Sequence, residues 1–257
     1  MFRPRVIPVL LLRNLGLIKS IKFKDYRYIG DPINAVKIFN DLRADELMFL
    51  DITASNENRK ISLDFVRKVG DECNMPFAVG GGIRTIDDIR EILNSGAEKV
   101  VINSAAAENP DFVHQASEEF GSSTIVVCID VKKKFMGNNI VWIYSGSKAT
   151  IYDPVVYARL MAEKGAGELI IQNIAYDGMM EGYDLELISE ISNAVTIPVI
   201  ACSGAGNIQD LSLAVVKANA SAVAAGSLFV YFGPRRAVLI NYPSKEELLK
   251  LFHEDSH

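Results

Sequence analysis

An internal repeat with an offset of 122 residues constrains this chain more than any other feature. Asp31-Pro32 recurs as Asp153-Pro154, and the apolar run Pro76–Val79 recurs as Pro198–Ala201. Further matches at the same offset are Asp45-Glu46-Leu47 with Gly167-Glu168-Leu169, Gly82 with Gly204, and Asp88 with Asp210. Several segments in one register indicate two similar halves, with a boundary near residues 120–124.

Within each half, short apolar runs alternate with helix-like segments. The runs are rich in Val, Ile and Leu without polar alternation, which is typical of parallel strands buried on both faces. They are Val6–Leu12, Leu47–Ile52, Pro76–Val79, Val100–Ile102, Thr124–Ile129, Leu169–Ile171, Pro198–Ala201 and Ala222–Ala225. Together with the duplication, this alternation predicts an α/β fold. We expect a single (β/α)₈ TIM barrel of two duplicated (β/α)₄ halves over residues 1–257, not an open doubly wound sheet, with a frayed tail at 253–257.

The composition limits the classes of function. A chain of 257 residues is long enough for one barrel, and its net charge of −5 disfavours a nucleic-acid partner. We expect no signal peptide and no membrane span, because no apolar run reaches 18 residues. Three widely spaced cysteines show neither a disulfide framework nor a zinc pattern. A cytoplasmic protein with no metal or cofactor is therefore expected.

Turns of glycine or small polar residues follow four of the predicted strands. Gly80-Gly81-Gly82 follows the third strand, and its duplicate around Gly204 follows the seventh. Asn103-Ser104 follows the fourth strand and Gly226-Ser227 follows the eighth. Glycine lets backbone N–H groups approach a phosphate closely, so these turns predict two phosphate sites and a ligand with phosphates at both ends. Alternatively, they only make tight turns between strand and helix.

Four motifs make the chain similar to a known family. They are Phe49–Ser55 (FLDITAS), Val79–Arg84 (VGGGIR), Ile102–Ala106 (INSAA) and Gly182–Glu186 (GYDLE). Over residues 1 to about 232 the sequence resembles the cyclase subunit of imidazole glycerol phosphate synthase, HisF. This resemblance implies a (β/α)₈ barrel docked on a HisH-type glutaminase, whose ammonia crosses the barrel to an aminoimidazole-carboxamide ribonucleotide with two phosphates.

The resemblance fails at the catalytic pair. The family uses one aspartate at the end of the first strand and one at the end of the fifth as general acid and base. Asp130 matches the second, but Leu11 stands at the position of the first. A leucine cannot carry a proton, and loss of such a group typically costs about 10²–10⁴-fold in rate. Further departures are Asn173, Tyr176 and Cys202-Ser203.

At the other end of the predicted barrel, four charged residues match the family's ring for ammonia entry. Arg5, Glu46, Lys99 and Glu168 each stand at the start of a predicted strand. Two cations and two anions can neutralise one another, and neutral ammonia can pass such a ring if it opens. The same four residues could equally form a salt-bridge plug that merely closes the barrel.

The remaining candidates carry two interpretations each. Asp51 either orients ligand or caps a loop, and Asp177-Gly178 either holds substrate or makes a turn. Lys19 matches a ligand-side lysine of the family, although a solvated hairpin lysine is the simpler interpretation. Trp142 and Tyr144 are expected in a hairpin after the fifth strand.

Three functional hypotheses follow. The first is a HisF-like conduit that passes ammonia from a HisH-like glutaminase to an N-acetyl-sugar amidotransferase. It resembles the WbuZ-type partners that serve acetamidino-sugar and surface-polysaccharide synthesis. The second is a true cyclase, a lyase of histidine biosynthesis, in which Asp51 or Asp177 replaces the lost aspartate. The third is a scaffold barrel that binds a phosphorylated ligand without catalysis.

Overall fold

The predicted strands form a closed parallel barrel in the computed structural model, which describes residues 3–134 and 137–254. The barrel strands are β1 (Arg5–Arg13), β2 (Leu47–Asp51), β3 (Phe77–Gly80), β4 (Lys99–Ile102), β5 (Ile125–Lys133), β6 (Glu168–Asn173), β7 (Val199–Cys202) and β8 (Ala222–Ala225). Each pairs in parallel with the next, and β8 returns to β1 with Val223 opposite Val6. The closed ladder confirms the (β/α)₈ barrel and excludes the open sheet.

A helix follows each barrel strand. The helices are α1 (Pro32–Asp41), α2 (Leu63–Glu72), α3 (Ile86–Asn94), α4 (Pro110–Phe120), α5 (Pro154–Glu163), α6 (Leu185–Ser192), α7 (Ile208–Ala218) and α8 (Lys245–Glu254). The repeat extends to their hydrogen bonds, since Asp31 and Asp153 both cap the helices that follow them. Thr85 and Asn207 likewise begin reciprocal capping boxes with an aspartate three residues on.

Additional short elements accompany the barrel strands and the main helices. The first hairpin (residues 13–30) continues β1 through the antiparallel strands Gly16–Ile21 and Lys24–Gly30. A second hairpin, called the fifth hairpin because it continues β5, runs through the antiparallel strands Asn139–Ile143 and Lys148–Ala149. It confirms the hairpin expected around Trp142. Other short elements are the strands Tyr231–Phe232 and Ala237–Val238, the helices Ser104–Glu108 and Ser227–Val230, and the 3₁₀ helix Ser122–Thr124.

Two apolar cores result from the alternation of side chains along the strands. One core lies between the barrel wall and the helices and includes Val6, Leu10 and Phe49. The other fills the barrel interior and includes Ile7, Met48 and the side chains facing them. Because residues of β1 alternate between these cores, Leu11 shares the interior with Ile7 and reaches the mouth.

The connection between the two sets of four strands is short. Gly121 and the 3₁₀ helix Ser122–Thr124 link α4 to β5. Helix α8 includes positions 253 and 254 of the expected tail, while residues 255–257 lie outside the described residues. Across the described parts of the chain, no helix has the length and apolar composition needed to cross a membrane.

Replacing Phe49 by alanine tests the outer core. Phe49 is fully buried, and its ring centroid lies 5.4 Å from that of Phe65 in an edge-on arrangement. We expect Phe49→Ala to lower the free energy of unfolding by about 3–5 kcal/mol, measured by urea denaturation. Phe232→Ala, at a side chain 64% exposed, is the control and should change it by less than about 0.5 kcal/mol. Equal losses in the two variants would contradict this packing.

Candidate functional site

The four charged residues predicted to form a ring meet at the N-terminal end of the barrel. Arg5 is ion-paired with Glu46 and, at 2.6 Å, with Glu168. Lys99 lies 3.3 Å from Glu46 and 3.2 Å from Glu168. Each cation therefore contacts both anions, and the ring is electrically balanced. Glu46 is almost fully buried, so removal of either cation would leave carboxylate charge poorly compensated.

Beyond this ring the barrel interior is apolar up to the opposite mouth. Its wall contains buried aliphatic side chains and the thiols of Cys128 and Cys202. Burial raises the pKa of Cys202 to about 12 and that of Cys128 well above its usual range, so both remain thiols at neutral pH. Both cysteines are small, buried side chains of the interior wall. A neutral molecule meets little polar surface along this path.

At the mouth, the predicted phosphate-site residues divide between two cavities. The first, of about 830 Å³ and open to solvent, is lined by Gly81, Gly82, Asn103 and Ser104. The second, of about 420 Å³, is lined by Gly204, Gly226 and Ser227. Both cavities share two wall residues, Leu11 and Gln172. The glycine turns of the two halves thus lie on opposite sides of a common centre.

Close backbone approach explains the glycines of the first cavity. Gly82 has a φ of +67°, and a Cβ there would overlap the carbonyl oxygen of Arg59. At Gly81, a Cβ would lie 2.7 Å from the carbonyl oxygen of Asp51. Ser104 accepts a hydrogen bond from the Tyr144 N–H at 3.0 Å, which fastens the fifth hairpin over this cavity. The turn therefore needs glycine for its packing, whatever ligand it holds.

The second cavity is lined by a buried lysine. The Lys19 ammonium is only 5% exposed and donates to the carbonyl oxygen of Val9 at 2.6 Å. Burial lowers the pKa of Lys19 to about 8. A Cβ at Gly226 would overlap the ammonium, which explains glycine at that position. The interpretation of Lys19 as a solvated hairpin lysine is wrong, because the first hairpin folds this side chain inward.

Ser203 gives this cavity an unused polar group. Its hydroxyl is buried, and no hydrogen-bond partner lies within reach among the described residues. Ser203 also has a φ of +70°, a left-handed conformation that is uncommon for serine. A buried hydroxyl and a buried ammonium in one cavity suit an anionic group.

Asp130 is the ionisable group at the centre of the mouth. It lies in the first cavity, where Asn103 Nδ2 approaches its carboxylate at 3.4 Å and the Cys128 thiol at 3.5 Å. Burial raises the pKa of Asp130 to about 7, and the charge of Asp177 adds to the effect. The side chain of Leu11, 7% exposed, shares the same cavity wall. Asp130 is thus suited to proton exchange near neutral pH, and Leu11 beside it offers no second ionisable group.

The other candidate carboxylates have structural partners. Asp51 is ion-paired with Arg59 at 2.5 Å and accepts hydrogen bonds from the backbone of Thr53 and Ala54. It therefore caps the loop after β2, although it also lines the first cavity. Asp177 accepts a hydrogen bond from the Ser20 hydroxyl at 2.6 Å and so ties the first hairpin to the loop after β6.

Sequence reasoning missed Gln172, which faces the interior between the two cavities. Its amide oxygen lies 3.7 Å from the Cys128 sulfur. The signal was available, since the polar Gln172 directly follows the apolar run Leu169–Ile171, two positions after inward-facing Ile170. Among the described residues, the structure also brings together no group of three or more His, Cys, Asp or Glu side chains that could hold a metal.

The pKa of Asp130 predicts a dependence of stability on pH. The folded protein holds this proton more tightly than the unfolded chain, where an aspartate titrates near ~3.9. The stabilisation is complete below about pH 4 and is lost as pH rises through about 7. Relative to Asp130→Asn, wild-type protein should lose about 1–4 kcal/mol of unfolding free energy over this range.

Urea denaturation at several pH values measures this difference. Asp64→Asn is the matched control, because the Asp64 side chain is 83% exposed and forms only a surface ion pair with Arg67. Parallel pH profiles for wild type and Asp130→Asn would contradict the raised pKa.

Comparison with known proteins adds a family relationship to this geometry. Residues 5–234 match the sequence profile of a family described as "Histidine biosynthesis protein". A protein of Alkaliphilus metalliredigens named imidazole glycerol phosphate synthase subunit HisF is 44% identical over 231 residues, which cover 90% of this chain and 92% of that protein.

Two further relatives carry the same name provisionally. One, from Leptospira interrogans, is 42% identical over 254 residues and covers 98% of this chain and 100% of its own length. The other, from Pseudomonas aeruginosa, is designated hisF2 and is 44% identical over 248 residues, 96% of this chain and 99% of its own. The similarity therefore extends over nearly the whole length of each protein.

Proposed function

From the premise that this chain belongs to the HisF family of histidine biosynthesis proteins, we propose that it conducts ammonia and does not close the imidazole ring. In this proposal a HisH-like glutaminase docks at the charged ring and releases ammonia into the barrel. The ammonia leaves at the mouth and is used by a separate acceptor enzyme.

Leu11 is the observation that carries the proposal. Ring closure in the family relies on a pair of carboxylates at the mouth, and here Asp130 shares the cavity wall with an apolar side chain. The two possible replacements are already engaged. Asp51 is held by Arg59, and Asp177 lines the second cavity and binds Ser20. A single carboxylate can hold a proton, but it lacks the partner that the second proton transfer requires.

The interior supports passage of a small neutral molecule. Movement of Lys99 or Arg5 away from Glu46 and Glu168 would open the ring, and ammonia, being neutral, could pass it without a counter-charge. Between the ring and the mouth, the lining is almost entirely aliphatic. Ammonium would lose its hydration there, whereas ammonia would not carry that penalty. The lining thus favours the form of the molecule that acts as a nucleophile.

For the acceptor enzyme we propose an N-acetyl-sugar amidotransferase that makes acetamidino sugars for surface polysaccharides. The support is the resemblance to WbuZ-type barrels, together with the lost acid–base pair, which leaves the ammonia for chemistry elsewhere. The first and second cavities would then hold a phosphorylated ligand that is not converted there. Its role would be to act as a signal or to position the acceptor enzyme.

A second candidate function is the cyclase of histidine biosynthesis, which makes imidazole glycerol phosphate and an aminoimidazole-carboxamide ribonucleotide. Two observations favour it: the paired cavities at the mouth, and the pKa of about 7 for Asp130. A non-catalytic scaffold barrel that binds a phosphorylated ligand is the third candidate, and it keeps the cavities without the ammonia path.

A cyclase assay with ammonium salt separates these candidates. Free ammonium bypasses the glutaminase, so turnover of the two-phosphate ribonucleotide reports the chemistry of the barrel alone. We expect wild-type protein to be at least about 10²-fold slower than Leu11→Asp, because the variant restores the missing acid–base group. Wild-type turnover that Asp130→Ala abolishes would instead establish the cyclase.

Substitution of Lys99 tests the ring as a gate. Lys99→Ala leaves Glu46 and Glu168 with only Arg5, so the entrance becomes negatively charged and loses its closed geometry. With glutaminase and acceptor enzyme present, the ratio of amidinated sugar formed to glutamine hydrolysed should change several-fold in a variant that still folds, although its thermal midpoint falls because the buried Glu46 loses one of its two cations. Lys68→Ala, exposed on α2, is the control. An unchanged ratio would identify the ring as a structural plug.

A further inference from the structure

A second groove lies outside the barrel mouth and beside the first cavity. It measures about 840 Å³, opens to solvent, and is enclosed by the first hairpin, the loop after β2 and the fifth hairpin. It shares Phe23, Tyr26, Ile52 and Ser145 with the wall of the first cavity. A ligand in this outer groove would therefore extend towards the point where the barrel interior opens.

Four cations converge on the outer groove without a carboxylate to balance them. Arg13, Lys22 and Lys24 come from the first hairpin, and Lys132 comes from the end of β5. No Asp or Glu belongs to the described lining, and none of these four cations forms an ion pair within residues 3–134 and 137–254. Like charges gathered in a concave site repel one another unless an anion joins them.

The contrast with other cations of the chain strengthens this point. The protein has a net charge of −5, and neighbouring cations such as Arg59 and Lys60 are paired with acidic side chains. Asp25, the one carboxylate of the first hairpin, lies outside the groove lining. The groove is thus locally positive, although the chain as a whole carries a negative charge.

Aromatic rings form part of the same wall. Phe23, Tyr26 and Tyr144 line the groove, and the Arg13 guanidinium lies 4.6 Å from the ring centroid of Tyr26. Such rings offer flat surfaces on which a planar heterocycle can stack, while the cations bind charged oxygen atoms. Phosphate groups and a planar ring in one molecule are the chemistry of a nucleotide.

We propose that the outer groove is a binding site for a nucleoside diphosphate or a sugar ester of one. The phosphates would lie among the four cations and the base against the aromatic wall. The free end of the ligand would point into the first cavity. Only the fate of that free end, as a possible acceptor of ammonia, rests on the proposed function. Binding itself is independent of the glutaminase and of ammonia.

The chain contains a reporter for this site. Trp142 is its single tryptophan, and its indole N–H donates to the carbonyl oxygen of Lys132 at 3.2 Å. The Lys132 ammonium lies 4.9 Å from the centroid of the indole ring. A phosphate that draws this ammonium away will change the tryptophan fluorescence. Fluorescence and titration calorimetry can therefore follow the same binding event.

The experiment titrates the purified full chain with uridine diphosphate and, separately, with inorganic pyrophosphate. We expect saturable binding of the nucleotide with a fluorescence change at Trp142 and an affinity that falls as salt is added. Lys24→Gln and Lys132→Gln should each weaken binding by about tenfold, because each removes one charge-assisted contact. Lys68→Gln, outside the groove, should bind as wild type does.

Three results would overturn the proposal. No saturable binding of the nucleotide would remove the site. Unchanged affinity in both Lys24→Gln and Lys132→Gln would place the nucleotide elsewhere, in the first or second cavity. Equal affinity for pyrophosphate and the nucleotide would show that the aromatic wall binds no planar ring. None of these results depends on the cyclase or gate assays, so failure here is distinguishable from failure of the proposed conduit.

Discussion

Closure of the barrel at two seams is the constraint on which the rest of the structure depends. The two halves meet where β4 pairs with β5 and where β8 pairs with β1, in the registers Ile102 with Val127 and Val6 with Val223. Since all barrel strands run in parallel, closure gathers their starts at one end and their carboxyl ends at the other. The charged ring and the two cavities are consequences of that polarity.

The ring shows how closure turns separate residues into one unit. Arg5, Glu46 and Lys99 belong to the first half, whereas Glu168 belongs to the second. None of them neighbours another in sequence, yet each cation contacts both anions. A slip of one residue at either seam would turn these side chains towards the helices. The balance of charge therefore depends on the register of the whole barrel.

The sequence predicted the elements that depend on local pattern and on the repeat. Apolar runs located every barrel strand, and the repeated Asp-Pro pairs coincide with the starts of α1 and α5, which Asp31 and Asp153 cap. The surroundings of Lys19 and Asp51 could not be predicted, since their partners come from hairpins and loops whose folding follows no periodicity. Lys19 is buried because the first hairpin turns inward, and Asp51 finds Arg59 eight residues later in an irregular loop.

The mouth places two glycine-lined cavities around a buried carboxylate, Asp130. Burial, more than any neighbouring charge, raises the pKa of Asp130, so the proton there does not require a second carboxylate nearby. Leu11 adds apolar surface to the same wall and leaves Asp130 without a partner for proton relay.

The outer groove shares part of this wall, through Phe23 and Tyr26. A molecule bound in the groove would narrow the opening of the first cavity. In the proposed conduit, ammonia that leaves the mouth would meet the bound molecule before bulk water, which favours transfer over protonation by solvent.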